Sequence, residues 1–261
     1  MYLRVDSSAL DLARAACIAL PAAGLPRWLD RLRGRGWALV APLSILAVAL
    51  AIELWSGAAD ALAWISLVLV PVGCALALGW AGHGARAWLA PLAIPLLAAV
   101  VATPDSIAGE LARIALIGGS CVTVGRLLAG AAPLTLIKIG VVAMATIDAV
   151  QIFGHLFDEQ NAQFAAAIPA SGLPSLQIAP LGDASVDYGD FFVAGLVGGL
   201  FAAEGRRQLA AALAMFVVAQ AFNQLFLVTD MLPATVPPAL VLIGAELLDR
   251  RPVRLAPRTV G

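Results

Sequence analysis

Two aspartates lie next to apolar segments, where an ionised carboxylate is costly. Asp148 follows nine apolar or small residues that begin at Ile139. Asp190 precedes 13 uncharged residues, Phe191 to Ala203. Two carboxyl groups that share one site cannot both ionise, so one holds a proton while the other accepts one. Such a pair can activate a water molecule and protonate a leaving amide nitrogen.

The residues around Asp190 bear on this chemistry. Gly189 has no side chain and would let a peptide backbone approach the acid closely. Asp187 adds a third carboxylate, which could raise the pH dependence of the site or impair its activity. Each acid also has a structural alternative. Asp148 could be protonated and hydrogen-bonded to a neighbouring helix, and Asp190 could cap a helix whose dipole favours negative charge.

The composition indicates what surrounds these acids. The chain is 61% hydrophobic and 13% charged, with a mean hydropathy of +0.93. Soluble domains carry about 25% charged residues, so lipid is the expected solvent for most of this protein. The net charge is −1, and the arginines are scattered among short connections. No nucleic-acid partner is therefore expected.

Cysteine and histidine give no sign of a metal or redox site. Cys17, Cys74 and Cys121 each lie in an apolar run and share no metal-ligand spacing. We interpret them as small packing residues, and we expect neither a metal nor an organic cofactor.

Nine apolar runs approach the ~20 residues that a bilayer requires. An all-α membrane protein follows, because an open strand edge in lipid would leave backbone groups unpaired. The predicted spans are 7–24, 37–54, 58–80, 86–102, 107–130, 133–157, 186–203, 207–229 and 234–249.

The arginines alternate between connections. They follow spans one, three, five, seven and nine, whereas the connections after the even-numbered spans contain no Lys or Arg. Cytoplasmic loops accumulate Lys and Arg, so the amino terminus is predicted outside and the carboxyl terminus in the cytoplasm. The arginines concerned are Arg27, Arg31, Arg33, Arg35, Arg86, Arg126, Arg206, Arg207, Arg250, Arg251, Arg254 and Arg258.

The first run is predicted to be a retained membrane helix. Asp6 and Asp11 offset Arg4 and Arg14, whereas a secretory signal needs a basic start. Arg14 lies deep in this run and weakens its assignment as a span.

We divide the chain into a five-helix scaffold part, 1–130, and a catalytic part, 131–261, within one membrane domain. The only long connection, 158–185, is predicted to face outside, and its stretch 176–180 could form a short strand.

These features resemble the presenilin and signal peptide peptidase family of intramembrane aspartyl proteases. That family has nine spans, with one catalytic Asp in the sixth, a Gly-x-Gly-Asp motif in the seventh and a Pro-Ala-Leu motif before the ninth. Asp148 falls in the sixth run here, Gly189-Asp190 opens the seventh, and Pro238-Ala239-Leu240 begins the ninth. The resemblance covers residues 133–249 well, whereas the first five spans match only in number.

Three departures accompany the resemblance. Ile147 replaces the family's Tyr before the first acid, and Asp187 replaces the first Gly of Gly-x-Gly-Asp. Pro233-Ala234-Thr235 competes with Pro238-Ala239-Leu240, and the literal triplet is preferred because it continues into an apolar run. A second Gly-Asp, Gly182-Asp183, has no apolar span directly after it.

The resemblance implies an aspartyl endopeptidase with Asp148 and Asp190 as catalytic pair. Gly189, Pro238, Ala239 and Leu240 would shape the substrate site. The arginine pattern is similar to that of signal peptide peptidases. Substrates would therefore be transmembrane helices with cytoplasmic amino termini, cleaved in the bilayer of a prokaryotic cytoplasmic membrane.

Two other functions stay open. A prepilin-peptidase-like enzyme also uses a Gly-x-Gly-Asp acid, but it places its acids toward the cytoplasm and usually has a Lys after the motif. A proton-coupled transporter would use buried polar residues as a pathway. Its pathway candidates are Glu53, Glu246, Gln151, Gln220, Asn223 and Gln224.

Overall fold

The structure, a computed structural model, describes residues 2–23, 31–227, 229 and 231–249, with side chains from residue 6 onward. This part of the chain forms ten α-helices and one β-hairpin. The helices are α1 (Tyr2–Ala19), α2 (Val40–Leu54), α3 (Ala58–Leu76), α4 (Ala93–Ala102), α5 (Ile107–Ala131), α6 (Leu134–Phe153), α7 (Asp158–Ala166), α8 (Tyr188–Ala203), α9 (Gln208–Phe222) and α10 (Val236–Asp249). The strands are β1 (Ile178–Leu181) and β2 (Ala184–Asp187). The basic residues Arg27, Arg250, Arg251, Arg254 and Arg258 lie outside the described residues.

Five helical segments are long and apolar enough to cross a membrane. They are Arg35–Leu54, Ala58–Ala81, Ile107–Ala131, Leu134–Phe153 and Gln208–Leu227. Two shorter apolar helical segments cover Ala87–Ala102 and Tyr188–Ala203. Each of the nine predicted runs overlaps one helix, and α7 is the additional one. The helices α1 and α10 are in neither group: α1 carries four charged residues, and α10 has 14 residues that include Glu246 and Asp249.

The helix α8 lies at the centre of the bundle, and every residue from Phe191 to Ala202 is buried. Its closest neighbour is α5, and glycines make the approach possible. A Cβ on Gly125 would lie 2.2 Å from the carbonyl oxygen of Gly195, and one on Gly199 would lie 2.5 Å from that of Gly125. The pair Gly195 and Gly199 therefore serves helix packing.

The helices α1 and α3 reach the same central pair through small residues. A Cβ on Gly198 of α8 would lie 2.5 Å from the carbonyl oxygen of Cys17 in α1. A Cβ on Gly73 of α3 would lie 2.5 Å from the hydroxyl of Ser120 in α5. Although α1 belongs to the amino-terminal part of the sequence, it packs directly on α8 and α9.

The connection between α6 and α8 is ordered by a hairpin directly before α8. The strands are antiparallel, with Ile178 opposite Asp187 and Leu181 opposite Ala184. Gly182 in the turn has φ of +55°, a conformation that favours glycine. Its backbone N–H donates to Glu110 of α5 at 3.2 Å. The strand predicted in 176–180 is thus observed, as half of a hairpin.

Gln177, the residue before β1, joins this connection to the helices. It is buried, and its side-chain amide donates to the carbonyl oxygens of Phe164 and Ala167, each at 2.8 Å. Ser66 of α3 donates to its carbonyl oxygen at 3.3 Å. Because buried polar groups need partners, Gln177 ties α7, the hairpin and α3 together.

An ion cluster lies at the opposite end of the bundle from the hairpin. Lys138 pairs with Glu246 at 2.8 Å and also with Glu204. Arg206 pairs with Glu204 at 2.7 Å, with Asp249 at 3.2 Å and also with Glu246. The cluster ties the start of α6 and the α8–α9 connection to the end of α10. Lys138 is held within this cluster by its two ion pairs.

Candidate active site

Asp148 lies near the hairpin end of α6. It is five residues before Phe153, where α6 ends, which places it about 8 Å from the helix end at 1.5 Å per residue. The predicted span was longer and placed Asp148 deeper. The helix stops earlier because Gly154 follows it and because His155 and Phe157 take positive φ values of 52° and 66°. The Asp148 side chain is half-buried and lies close to the segment before α10.

Thr235 is the hydrogen-bonding partner of Asp148. Its hydroxyl donates to Oδ2 of Asp148 at 2.5 Å, and its backbone N–H donates to the same carboxyl group. Thr235 is 2% exposed, so little water competes for this contact. Two donors from one residue orient the carboxyl group in a fixed direction.

Asp190 occupies the third position of α8. Asp187 is the N-cap residue, with an extended backbone, and its own side chain makes no cap hydrogen bond. The Asp190 carboxyl group accepts a hydrogen bond from the backbone N–H of Asp187. This is the return half of a capping box, so Asp190 has the helix-capping role considered from the sequence. That role also fixes its side chain at the start of α8.

The predicted pair comes together at this end of the bundle. The charges of Asp148 and Asp187 both act on Asp190, and the charge of Asp148 also acts on Asp187. Asp190 is two residues into α8, about 3 Å from its start. The two acids therefore lie on neighbouring helices, each within about 8 Å of the helix end that is nearest the hairpin.

Asp187 lies outside the membrane-length helices, at the end of β2. Although the residue as a whole is exposed, the protein atoms around its carboxyl group exclude water and raise its pKa to about 6. The charge of Asp148 contributes a second, smaller part of the increase. Asp187 therefore gains its negative charge near pH 6, and this charge can alter how strongly Asp148 and Asp190 hold their proton.

Arg14 of α1 is a positive charge inside this site. Its charge acts on both Asp148 and Asp190. It is 3% exposed, pairs with Asp11 at 2.8 Å and donates a second hydrogen bond to the carbonyl oxygen of Ala234. Because Ala234 precedes Thr235, Arg14 also holds the segment that carries the donor to Asp148.

Polar residues of α1 and α9 complete the surroundings of Arg14. The Asp11 carboxyl group accepts hydrogen bonds from Asn223 at 2.7 Å and Gln220 at 3.1 Å. Ser8 donates to Gln220 at 2.7 Å. Gln220 and Asn223, two of the pathway candidates, are thereby placed in one partly buried polar cluster, which we call the Arg14 cluster (Ser8, Asp11, Arg14, Gln220 and Asn223).

The two Pro-Ala triplets have different positions. Pro233-Ala234-Thr235 contacts the site directly through Arg14 and Asp148. Pro238-Ala239-Leu240 forms the first turns of α10, where Pro238 and Ala239 are buried and Leu240 is 46% exposed. The hydrogen bond to Asp148 therefore comes from Pro233-Ala234-Thr235, the triplet that was ranked second from the sequence.

Gly189 borders open space. A Cβ added there would meet no atom within 4 Å. Its backbone is therefore accessible to a ligand beside Asp190, in contrast to the glycines of α5 and α8 that touch a neighbouring helix.

The remaining predicted residues, all within the described part of the chain, make no hydrogen bond with the two acids, and Gln151 is one helical turn after Asp148 in α6. Glu246 belongs to the ion cluster, Glu53 accepts from Gln160, and Gln224 donates to the backbone of Gln220 at 3.0 Å. Gln151 is buried with an unpartnered side-chain amide nitrogen.

Arg14 and Asp11 were not among the predicted site residues, and Thr235 was considered only as part of the second-ranked triplet Pro233-Ala234-Thr235. Opposite charges three residues apart within an otherwise apolar helix are a usable signal of a buried ion pair. Thr235 gives no such signal, because a threonine before an apolar helix is common as a cap.

Within the described residues, no group of three or more His, Cys, Asp and Glu side chains could hold a metal ion. The comparisons with known proteins find no family model that matches the chain, and no curated protein or solved structure that is similar to it.

Proposed function

We propose that this protein is an intramembrane aspartyl protease whose catalytic pair is Asp148 and Asp190. One observation carries the proposal. Two acids lie on neighbouring helices near the hairpin end of the bundle, their charges interact, and Thr235 orients one of them. The family resemblance described from the sequence gives these same two acids their role.

The reaction uses the pair as acid and base. The ionised carboxyl group takes a proton from a water molecule, and the resulting hydroxide attacks the carbonyl carbon of the scissile peptide. The protonated carboxyl group donates its proton to the carbonyl oxygen, which gives a gem-diol. The carboxyl group that took the proton from water then donates it to the leaving nitrogen as the C–N bond breaks, and the gem-diol returns a proton to the first carboxylate. The hydrogen bonds from Thr235 hold Asp148 toward the reacting water, and no metal or organic cofactor takes part.

The substrate is a transmembrane segment in an extended conformation next to Gly189. The open space at Gly189 accommodates its backbone beside Asp190. The hairpin β1–β2 has two strands, so each strand keeps one edge on which an extended peptide can add as a further strand. This places the peptide directly before the start of α8.

The membrane arrangement in this proposal has nine spans, with the amino terminus outside and the carboxyl terminus in the cytoplasm. The hairpin end then faces outward, and substrates enter with cytoplasmic amino termini in a prokaryotic cytoplasmic membrane. The alternation of arginines supports this orientation. Cleavage of matched reporters in both orientations tests it, and preference for the opposite class would overturn it.

The decisive experiment reconstitutes the full chain in lipid vesicles with a transmembrane reporter. Asp148→Asn and Asp190→Asn are each expected to lower cleavage about 10³-fold, because each removes one proton-transferring group. The matched control is Asp183→Asn, which removes an exposed acid at the hairpin turn. Cleavage that persists in either test variant would eliminate the pair as catalytic residues.

A second function, proton-coupled transport, is favoured by the Arg14 cluster. Its buried ion pair and half-buried amide side chains connect α1 to the end of α9, and the charge of Arg14 acts on Asp148. Buried acids of this kind relay protons in transporters. In the same vesicles, proton flux that disappears in Asp148→Asn, without any cleavage by the wild type, would establish transport in place of proteolysis.

A further inference from the structure

Arg126 is a buried cation that the proposed reaction does not use. It lies near the end of α5, far along the helix from the hairpin, and is 1% exposed. Its Nε and Nη1 nitrogens are shielded from solvent and have no hydrogen-bond partner. The guanidinium carbon lies 5.8 Å from the centre of the Trp80 ring. A guanidinium has five donors, and burying its charge without an acceptor is costly.

A cleft of about 960 Å³ lies beside Arg126, at the end of the bundle opposite the hairpin. Arg33 and Arg35 also line it, together with backbone from Gly130 to Pro133. Arg33 donates from Nε to the carbonyl oxygen of Gly130 at 3.2 Å, and Arg35 is exposed. Three arginines from two separate segments, Arg33, Arg35 and Arg126, therefore line the same cleft.

Buried and exposed cations line the cleft with little negative charge beside them. Among the described residues that line it, Glu204 is the one acid, and its carboxylate is already paired with Lys138 and Arg206. This paired acid does not neutralise Arg126 or Arg35, so an anion in the cleft would be attracted.

Phosphate is the anion that fits this arrangement. Guanidinium groups match phosphate oxygens with paired, parallel hydrogen bonds. The cleft lies at the ends of the apolar helices α5, α6 and α8, which is the level of lipid headgroups in a bilayer. Basic pockets between membrane helices bind acidic headgroups in this way.

We propose that the Arg126 cleft is a binding site for a phosphate group, supplied by an acidic phospholipid headgroup or by a soluble phosphate. Bound phosphate would compensate the buried charge of Arg126. The site is separate from Asp148 and Asp190, and its test needs no proteolytic activity.

The experiment measures thermal unfolding of the full chain in nanodiscs. One set contains phosphatidylcholine alone, and the other contains phosphatidylcholine with phosphatidylglycerol. The wild type is expected to gain about 4 °C in Tm at a ligand excess of about tenfold over Kd. A parallel arm adds inorganic phosphate or chloride, at equal ionic strength, to the phosphatidylcholine discs. A gain in the lipid arm alone identifies a headgroup site, and a gain with inorganic phosphate identifies a soluble ligand.

Arg126→Met is the principal variant. It keeps the apolar stem and removes the charge, so it is expected to lose the gain in Tm. Its Tm in phosphatidylcholine alone should equal or exceed that of the wild type, because an unpartnered buried charge is gone. Arg86→Gln is the control, since Arg86 is exposed and does not line the cleft. It should keep the full gain.

A second variant protects the test against misfolding of Arg126→Met. Arg35 is exposed, so Arg35→Gln should fold normally, reduce the gain in Tm and reduce the phosphatidylglycerol retained in native mass spectrometry by several-fold. An unchanged gain in both Arg126→Met and Arg35→Gln would overturn the proposal. An equal loss in Arg86→Gln would also overturn it, because the effect would then be general surface charge.

Discussion

The hydroxyl of Thr235 lies 2.5 Å from Oδ2 of Asp148, and 87 residues separate the two along the chain. The contact joins the segment before α10 to the hairpin end of α6. Because Arg14 holds the neighbouring carbonyl oxygen of Ala234, α1 also contributes to the position of this donor. The orientation of Asp148 therefore depends on three distant parts of the sequence.

Removal of the Thr235 hydroxyl should impair catalysis while the fold persists. Thr235→Val keeps the side-chain shape but loses a hydrogen bond to a carboxyl group, a contact of about 1.5–3 kcal/mol. We expect kcat for a transmembrane reporter to fall about 10- to 100-fold. Thr235→Ser keeps the hydroxyl and should retain most of the activity. Full activity in Thr235→Val, at unchanged Tm, would mean that the hydroxyl does not orient Asp148.

Substitution of Asp187 should change the pH profile on one side only. Since the pKa of Asp187 is raised to about 6, the residue is neutral below that pH and charged above it. Its negative charge helps to retain the proton that the pair needs. We expect Asp187→Asn to move the basic limb of the kcat profile about one pH unit lower and to leave the acidic limb in place.

The same pKa also predicts how stability changes with pH. A carboxyl group whose pKa is higher in the folded state stabilises the fold at low pH, and this contribution is lost as pH rises through about 6. The Tm difference between Asp187→Asn and the wild type should therefore increase from pH 5 to pH 8. Asp183→Asn removes an exposed charge at the hairpin turn and should show neither effect. Equal behaviour of the two variants would contradict this role of Asp187.

The Arg14–Asp11 pair should behave as a coupled unit. Arg14→Leu leaves a buried carboxylate without its cation, which costs about 3–5 kcal/mol, or about 10 °C in Tm. The double variant Asp11→Leu with Arg14→Leu removes both charges and should be more stable than Arg14→Leu alone. Both variants should lose cleavage, because Ala234 loses its donor. Thermal unfolding would contradict the coupling if the double variant were the less stable of the two.

Close packing of α5 on α8 should tolerate no added methyl group at Gly195. A Cβ there would lie 2.4 Å from the carbonyl oxygen of Cys121, so Gly195→Ala must separate the helices, at a cost of about 1–3 kcal/mol. Gly244→Ala is the matched control, because its Cβ meets no atom within 4 Å in α10. It should be neutral or slightly stabilising. Chemical unfolding that ranks the two variants equally would argue against glycine-mediated contact.

Gly189→Ala should weaken substrate binding and leave folding unaffected. The added methyl group meets open space, so Tm should stay within about 1 °C of the wild type. If a substrate backbone binds there, KM should increase more than kcat falls. An unchanged KM would indicate that the substrate does not approach Asp190 from this side.

The helical segments could be predicted from the sequence, for a local physical reason. Apolar runs such as 107–130 and 133–157 must satisfy their backbone groups within the segment, and they correspond to α5 and α6. Asp148 was recognisable as a candidate because its apolar neighbours alone make the carboxylate costly. A short strand was one of the two possibilities considered for 176–180, the other being a re-entrant piece, and β1 lies there; α7 and the second strand were not predicted.

Only the tertiary structure decided which residues meet. The approach of α5 to α8 depends on glycines 70 residues apart, Gly125 and Gly195, and composition or periodicity does not show which small residues face each other. The same limit applies to Thr235 beside Asp148, to Arg14 beside both acids, and to Arg126 beside its cleft. Hydropathy depends on each residue and its neighbours along the chain, whereas the partner of a buried charge depends on the packing of separate helices. The sequence by itself therefore determined the apolar helices and the two unusual acids, and the packing of those helices decided what surrounds the acids.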